Sequence, residues 1–301
     1  MNRNHTLTDG PLLPAIFRLA MPAVLSFLLQ GTYNFVDTYF VGFLGAESLA
    51  GISTGSFILW MLFGLASLIS IGVAAKVSRR VGEQNRQEAN CTAARGVWYT
   101  LGTAIVLAVP FYFLLPTLYN FMQTSAQVTA AGTAYIVPLV IGLPIIFLNF
   151  TIVGIFNASG DTRTPLILKI IALSLNALLD PLFIFGWGPI PAMGIEGAAL
   201  ATVLARSVAL LASLIILGRF KHMLTFRRPL FKGIGESWKQ ITYVGLPAAA
   251  TNILTPIGAG IITRIVSGYG AASVAAMTAG IRIEHCVVIP IIALGASMVP
   301  F

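Results

Sequence analysis

The chain has 301 residues, of which 57% are hydrophobic and only 9% are charged. Soluble globular domains carry about 25% charged residues, so this composition excludes a soluble fold. The net charge of +8 does not indicate a nucleic-acid partner, because the basic residues cluster in short segments between apolar runs. The two cysteines, Cys91 and Cys286, are too far apart to indicate a zinc site or a disulfide framework.

Apolar runs and the charged or Gly/Pro-rich breaks between them predict eight membrane-spanning helices. The runs approach or exceed the roughly 18 to 20 residues that cross the hydrocarbon core as helix. The fold class is therefore an all-α membrane protein, a polytopic helix bundle. The first run is too long for the core of a signal peptide, so we predict an uncleaved span there. The predicted spans cover residues 14–43, 47–75, 92–115, 130–158, 165–187, 194–218, 240–267 and 272–301.

The basic residues divide the connecting segments into two classes. The segments after spans one, three, five and seven carry no lysine or arginine, whereas those after spans two, four and six are basic. Because basic loops stay in the cytoplasm, the N-terminus is predicted to be cytoplasmic and span one to run outward. The basic loop residues are Lys76, Arg79, Arg80, Arg86, Arg95, Arg163, Lys169, Arg219, Lys221, Arg227, Arg228, Lys232 and Lys239.

The start of the chain is repeated near its end. A shift of 225 residues aligns positions 22–50 with positions 247–275 without a gap, and nine of the 29 pairs are identical. Spans seven and eight therefore restart the pattern of spans one and two, as parallel repeats do in some transporters. This predicts a first six-helix lobe at 1–218, a basic cytoplasmic linker at 219–239, and an incomplete second lobe at 240–301.

Two carboxylates are predicted at similar depth inside the first lobe, Asp37 in span one and Asp180 in span five. Acids within a membrane usually face the bundle interior and mark proton or ion pathways. Amide and hydroxyl groups lie nearby, and such an oxygen cluster binds either a proton or a hard cation such as Na⁺. The alternative is a structural pairing of Asp180 with Arg206. The oxygen-bearing neighbours are Tyr33, Asn34, Asn176 and Thr202.

Further polar and bent positions complete the set of candidates. Pro22 lies inside span one, where the missing N–H and the ring bend a helix, which suits a gate or a static kink. Arg206, Arg282 and His285 are candidate cavity-lining residues, and a structural polar patch is the alternative. The sequence shows no metal-ligand spacing, phosphate loop or nucleophile triad, so no catalytic residue, metal site or cofactor is predicted apart from Na⁺ at the carboxylates.

Three stretches resemble a known family, the multidrug and toxic compound extrusion transporters. The first is Ala20-Met21-Pro22 followed by Asp37-Thr38-Tyr39-Phe40-Val41-Gly42, and the second is Gly160-Asp161-Thr162-Arg163-Thr164-Pro165. The third runs from Asn176 through Leu179-Asp180-Pro181-Leu182-Phe183 to Gly194-Ile195-Glu196-Gly197-Ala198-Ala199-Leu200-Ala201-Thr202. The similarity covers essentially the whole chain.

The resemblance implies a twelve-helix antiporter of two lobes that exports organic cations and drugs in exchange for H⁺ or Na⁺. The acid pair Asp37 and Asp180 resembles the DNA-damage-inducible protein F branch, in which Asn176 and Thr202 would complete the ion site and bending at Pro22 would couple it to drug release. The implied setting is the inner membrane of a bacterium or archaeon. The implied partners are small amphipathic molecules and the lipid bilayer, with no nucleic acid, and the implied state is a monomer.

Three alternatives differ from this interpretation. A lipid-linked oligosaccharide flippase of the same superfamily needs a cavity rich in bases, and Arg206, Arg264 and Arg282 are the only intramembrane bases the sequence indicates. An intramembrane aspartyl protease with Asp37 and Asp180 as its dyad lacks the usual Gly-x-Gly-Asp setting. An inactive truncated remnant is the third alternative, because the predicted second repeat lacks four spans.

Overall fold

The computed structural model describes residues 21–22, 24–25, 28–29, 31–32, 36, 39–121, 126–220, 223 and 233–267, and the described residues up to 42 are helical. Seven long helices follow in that part of the chain. They are α1 (Ala46–Gly82), α2 (Arg86–Phe121), α3 (Ala126–Ile141), α4 (Leu143–Ala158), α5 (Arg163–Phe185), α6 (Gly194–Ile215) and α7 (Ile234–Ser267). A single π turn, Ile216–Phe220, extends α6.

The polytopic helical fold predicted from composition is confirmed. Four described helical segments are long and apolar enough to cross a membrane, namely Ile58–Gly82, Arg86–Tyr119, Arg163–Phe185 and Gly194–Arg219. They match predicted spans two, three, five and six. Span eight lies outside the described residues. The proposed division at 1–218, 219–239 and 240–301 stays a prediction.

Predicted span four is not one straight helix. The structure divides it at Gly142 into α3 and α4, and the chain bends by 58° between them. Only the two helices together are long enough to cross a membrane. Pro138 lies in the last turn of α3 and Pro144 in the first turn of α4, and neither ring nitrogen can donate to the helical ladder. A Cβ on Gly142 would also lie 2.8 Å from the Val203 side chain, so the bend brings bare backbone against α6.

The connection after span two is shorter in the structure than the sequence predicts. Lys76, Arg79 and Arg80 lie within α1, and Arg86 and Arg95 lie within α2, which leaves only residues 83–85 as a connection. The amide of Glu88 donates to Asn85 Oδ1 at 3.1 Å and so caps the start of α2. Hydrogen bonds from Arg80 and Arg79 hold the pKa of Glu83 below its usual range.

Helix α1 lies at the centre of the described bundle and packs against α2, α3, α4 and α7. Its buried side chains recur every three or four residues, which places them along one apolar stripe. This stripe contains Leu62, Ala66, Ile69, Val73 and Val77.

Helix α7 packs on α1 through glycines from both helices. A Cβ on Gly72 would meet the backbone of Ile241, and a Cβ on Gly245 would meet the backbone of Leu68. Bare glycine backbone permits this close approach, as small residues do in membrane helix pairs generally.

Polar contacts join α7 to α2 beside the glycine contact. The Tyr99 hydroxyl and Thr242 Oγ1 lie 2.6 Å apart, and the Tyr99 ring stacks on Trp238 with centroids 5.2 Å apart. Trp238 Nε1 donates to the carbonyl of Arg95 at 3.3 Å. The first turns of α7 are therefore fixed to the ends of α1 and α2 that are predicted to face the cytoplasm.

Candidate ion-coupling site

The candidate site is built on the buried face of α5. Buried positions on this helix recur every three or four residues, and they include a polar pair, Asn176 and Asp180, both fully buried. Helix α5 packs mainly against α6, so this face is directed into the bundle. Asn176 Nδ2 donates a hydrogen bond to Asp180 Oδ1 at 2.9 Å. The other buried positions of the stripe are Pro165, Leu168, Ala172 and Ile184.

The loop before α5 has a capping function. Gly160 has a φ of 78°, a left-handed conformation that suits glycine. Asp161 follows it, and its Oδ1 accepts a hydrogen bond from the Thr164 amide at 3.0 Å while its Oδ2 accepts one from Thr164 Oγ1 at 2.7 Å. The carboxylate therefore satisfies an orphan N–H at the helix start and interacts favourably with the helix dipole.

Helix α6 approaches α5 closely at Gly197, where a Cβ would lie 2.5 Å from the Phe183 carbonyl oxygen. The two helices run antiparallel, joined by residues 186–193. Counting about five residues along each helix from this contact puts Thr202 level with residue 178, between Asn176 and Asp180. Thr202 is 4% exposed, so its hydroxyl lies inside the bundle at the depth of the polar pair.

The site has oxygen acceptors that could hold a cation. Asn176 Oδ1 is buried and has no hydrogen-bond partner among the residues that the structure describes. An unsatisfied buried oxygen of this kind is costly unless an ion or a water reaches it. Within the same residues no group of three or more His, Cys, Asp or Glu side chains could hold a metal ion. The available ligands are therefore amide, carboxylate and hydroxyl oxygens, which are the ligands of hard cations.

Several predicted site residues lie outside the described part of the chain. They are Tyr33, Asn34 and Asp37 in span one, and Arg282 and His285 in span eight. Pro22 is described as helical and partly buried. Pro181 directly follows Asp180 within α5, which continues to Phe185.

Arg206 contacts residues of two neighbouring helices, α1 and α4. Its guanidinium carbon lies 5.7 Å from the centroid of the Phe63 ring in α1, and its carbonyl accepts a hydrogen bond from Asn149 Nδ2 at 3.1 Å. By the same residue count, Arg206 is level with residue 174, about 9 Å below Asp180 along the helix axis. The described hydrogen-bond partner of Asp180 is the amide of Asn176.

Lys169 is a further basic residue that lies in a helix and not in the predicted loop. The charge pattern predicts a loop position for it, but it lies in the second turn of α5 and is partly buried. Its spacing of seven residues from Asn176 and eleven from Asp180 puts all three on one helix face. The sequence alone shows this spacing, and it predicts that Lys169 lies on the same helix face as Asn176 and Asp180.

Comparison with known proteins identifies the family. The family model described as MatE matches residues 22–182, which contain α1 to α4 and the polar pair of α5. The chain belongs to the MatE family. The match covers more than half of the chain.

Curated relatives of this MatE chain are transport proteins by name. An FAD transporter of Shewanella oneidensis is 26% identical and is matched by 100% of this chain over 67% of its own length. A probable multidrug resistance protein NorM of Thermotoga maritima is 28% identical, with 94% of this chain and 60% of the relative covered. The multidrug export protein MepA of Staphylococcus aureus is 24% identical, with 97% and 64% covered. The chain thus spans about two thirds of the length of these relatives.

Solved structures agree with the fold. A transporter of the MOP superfamily from Pyrococcus furiosus, described as having a binding pocket of reverse polarity, has a TM-score of 0.89 and 25% identity. It is covered over 65% of its length by 99% of this chain. A MATE crystal structure in a bent conformation has a TM-score of 0.85 and 26% identity, with 94% of this chain and 62% of that chain covered.

Proposed function

We propose that the protein is a secondary active efflux antiporter, which exports organic cations or other amphipathic compounds in exchange for H⁺ or Na⁺. The observation that carries this proposal is the buried pair of Asn176 and Asp180, with Thr202 at the same depth. A carboxylate so deep in a membrane bundle is expensive to bury and by default indicates a functional site.

The geometry suggests how the ion would bind. The amide of Asn176 donates a hydrogen bond to Asp180 and stabilises the negative carboxylate. A proton would neutralise that charge, whereas Na⁺ would be held by the carboxylate, the Asn176 Oδ1 and the Thr202 hydroxyl. We propose that Asp37 of span one completes the site from the opposite side. Ion binding would then bend span one at Pro22 and couple the site to substrate release.

The names of the relatives support export of small molecules. Two of the three are named for multidrug resistance or export and the third as an FAD transporter, so the substrate class varies within this group. We propose a monomer in the cytoplasmic membrane of a bacterium or archaeon, with its N-terminus inside. Membership of the MatE family supports transport, rather than catalysis, as the proposed activity.

The test is efflux of a fluorescent cationic dye from proteoliposomes, driven by an imposed H⁺ or Na⁺ gradient. We expect one gradient to drive efflux, and Asp37→Asn and Asp180→Asn each to abolish it. The matched control is Glu196→Gln, which removes an exposed carboxylate from the first turn of α6 and should retain wild-type efflux.

Two outcomes of the efflux experiment would contradict the proposal. Efflux that proceeds at the same rate without either gradient, or that is indifferent to both Asp37→Asn and Asp180→Asn, would leave the two acids as structural groups and remove the ion-coupling assignment.

A further inference from the structure

The start of α2 is enclosed at the end of the bundle that is predicted to face the cytoplasm. Residues 91–96 are all buried, and such a run covers roughly 1.7 turns of a helix, so no side of α2 is open there. Helix α1 covers one side, where a Cβ on Gly96 would meet the Val73 side chain. Helix α7 covers another through contacts with Arg95 and Tyr99. This end of the predicted first lobe is therefore closed by the helix that begins the predicted second lobe.

Arg95 connects α2 to α7 through both its side chain and its backbone. It is 6% exposed, and its Nη1 donates to Glu88 Oε1 at 2.8 Å and to Ser237 Oγ at 3.3 Å. Its carbonyl accepts a hydrogen bond from Trp238 Nε1 at 3.3 Å. A buried guanidinium is costly unless it is paired and hydrogen-bonded, so the acid of α2 and the hydroxyl of α7 stabilise it together. If α7 moves away, Glu88 stays on the same helix and water replaces the hydroxyl.

A second set of contacts lies one turn further along both helices. The Tyr99 hydroxyl and Thr242 Oγ1 lie 2.6 Å apart, and the Tyr99 ring stacks on Trp238 with centroids 5.2 Å apart. These hydrogen bonds lie within the first nine residues of α7, which has 34 residues in all. The polar contacts between the two helices described here are thus concentrated at the predicted cytoplasmic end.

Part of the contact between α1 and α7 is made by backbone and not by interlocked side chains. A Cβ on Gly72 would meet the Ile241 carbonyl, and a Cβ on Gly245 would meet the Leu68 carbonyl. A glycine presents no side chain that must disengage before two helices slide or part. Hydrogen bonds near the membrane surface also exchange for bonds to water at a small net cost. Both properties suit an interface that separates and forms again.

We propose that the polar contacts between α2 and α7 form a latch, which closes the cytoplasmic end of the protein and is released in every transport cycle. The latch consists of Arg95, Tyr99, Ser237, Trp238 and Thr242. This inference rests on the proposed export function, because an exporter must admit its substrate from the cytoplasm. A latch has a closed and an open state, and deletion of a bond made only in the closed state shifts the population toward the open state.

The test is the distance between the cytoplasmic ends of α2 and α7, measured by double electron–electron resonance in phosphatidylcholine nanodiscs. Nitroxide labels are attached at two exposed positions through Gln87→Cys and Lys239→Cys, after Cys91→Ala and Cys286→Ala remove the two native cysteines. We expect the protein with an intact latch to show a short distance and a second, longer distance, whose populations give the open-to-closed ratio. The measurement needs neither an ion gradient nor a substrate.

Two substitutions remove the same hydrogen bond from opposite sides. Tyr99→Phe and Thr242→Val should each raise the open-to-closed ratio by about two- to tenfold, and the double variant should raise it about as much as either one. The matched control is Thr100→Val on the next residue of α2. It removes a buried hydrogen bond of 2.8 Å to Thr151 of α4, within the predicted first lobe, and should leave the ratio unchanged.

Two results would overturn the latch. A single short distance in the protein with the intact latch and in both latch variants would make the contact permanent. A shift in Thr100→Val equal to that in Tyr99→Phe would make the change a general loosening of the bundle. Failure of the proposed function gives a different result, in which the ratio responds to Tyr99→Phe and Thr242→Val as expected while no variant exports dye.

Discussion

Removal of the amide beside the buried acid should change the ion requirement of transport. Asn176 is fully buried and donates to Asp180 Oδ1 at 2.9 Å, and its own Oδ1 is a candidate Na⁺ ligand. Asn176→Leu keeps the branched shape and the number of heavy atoms, and it removes both functions. A hydrogen bond to a charged group contributes about 1.5 to 3 kcal/mol, which corresponds to roughly 10- to 150-fold in a binding constant.

The sign of the change identifies the coupling ion. With Na⁺ coupling, the variant loses a ligand, so the Na⁺ concentration that gives half-maximal dye efflux should rise by roughly tenfold or more. With H⁺ coupling, the charged carboxylate loses its donor and holds a proton more tightly, so the half-maximal proton concentration should fall. The assay is the initial efflux rate from proteoliposomes over a series of imposed gradients.

The control for this variant lies on the same helix. Ser174→Leu makes a similar change of polarity on the exposed side of α5 and should leave the ion dependence as in the wild type. If Asn176→Leu also leaves the half-maximal concentrations of both ions unchanged, the amide has no part in ion binding and the reasoning fails.

Two further predictions concern the packing that positions the site. Gly197→Ala places a Cβ 2.5 Å from the Phe183 carbonyl oxygen, and the overpacking should destabilise the protein by about 1 to 3 kcal/mol, seen as a lower thermal midpoint in detergent. Gly102→Ala, where a Cβ meets nothing within 4 Å, is the control, and equal midpoints for the two variants would contradict the packing. Asp161→Ala should cost about 0.5 to 2 kcal/mol through loss of the α5 cap. Asp161→Asn, which retains an acceptor for the Thr164 amide, should cost less, and an equal loss would refute the capping role.

Local spacing predicted that Asn176 and Asp180 share one helix face. Asn176 and Asp180 are one turn apart, and the structure buries both on one face of α5, because burial on a helix repeats every three or four residues. The same rule applied to Lys169 would have placed it on that face. Counting charges for orientation instead assigned Lys169 to a loop, although the helix begins six residues earlier at Arg163.

Features that depend on contacts distant in sequence were not predictable from local patterns. The bend at Gly142 follows from two prolines, but its fit against Val203 depends on how α6 packs. The approach of α7 to α1 depends on Gly72 and Gly245, which are separated by 173 positions in the sequence. The spacing of apolar residues along either helix does not indicate that these two glycines lie in one interface.

Ion movement itself tests the central claim most directly. Proteoliposomes are loaded with dye, and the inward movement of ²²Na⁺ or of protons is recorded alongside dye efflux for the wild type and for Asp180→Asn. The account predicts that efflux by the wild type is accompanied by inward movement of one of the two ions, and that Asp180→Asn abolishes both fluxes. Coupled ion movement that persists in Asp180→Asn would contradict it.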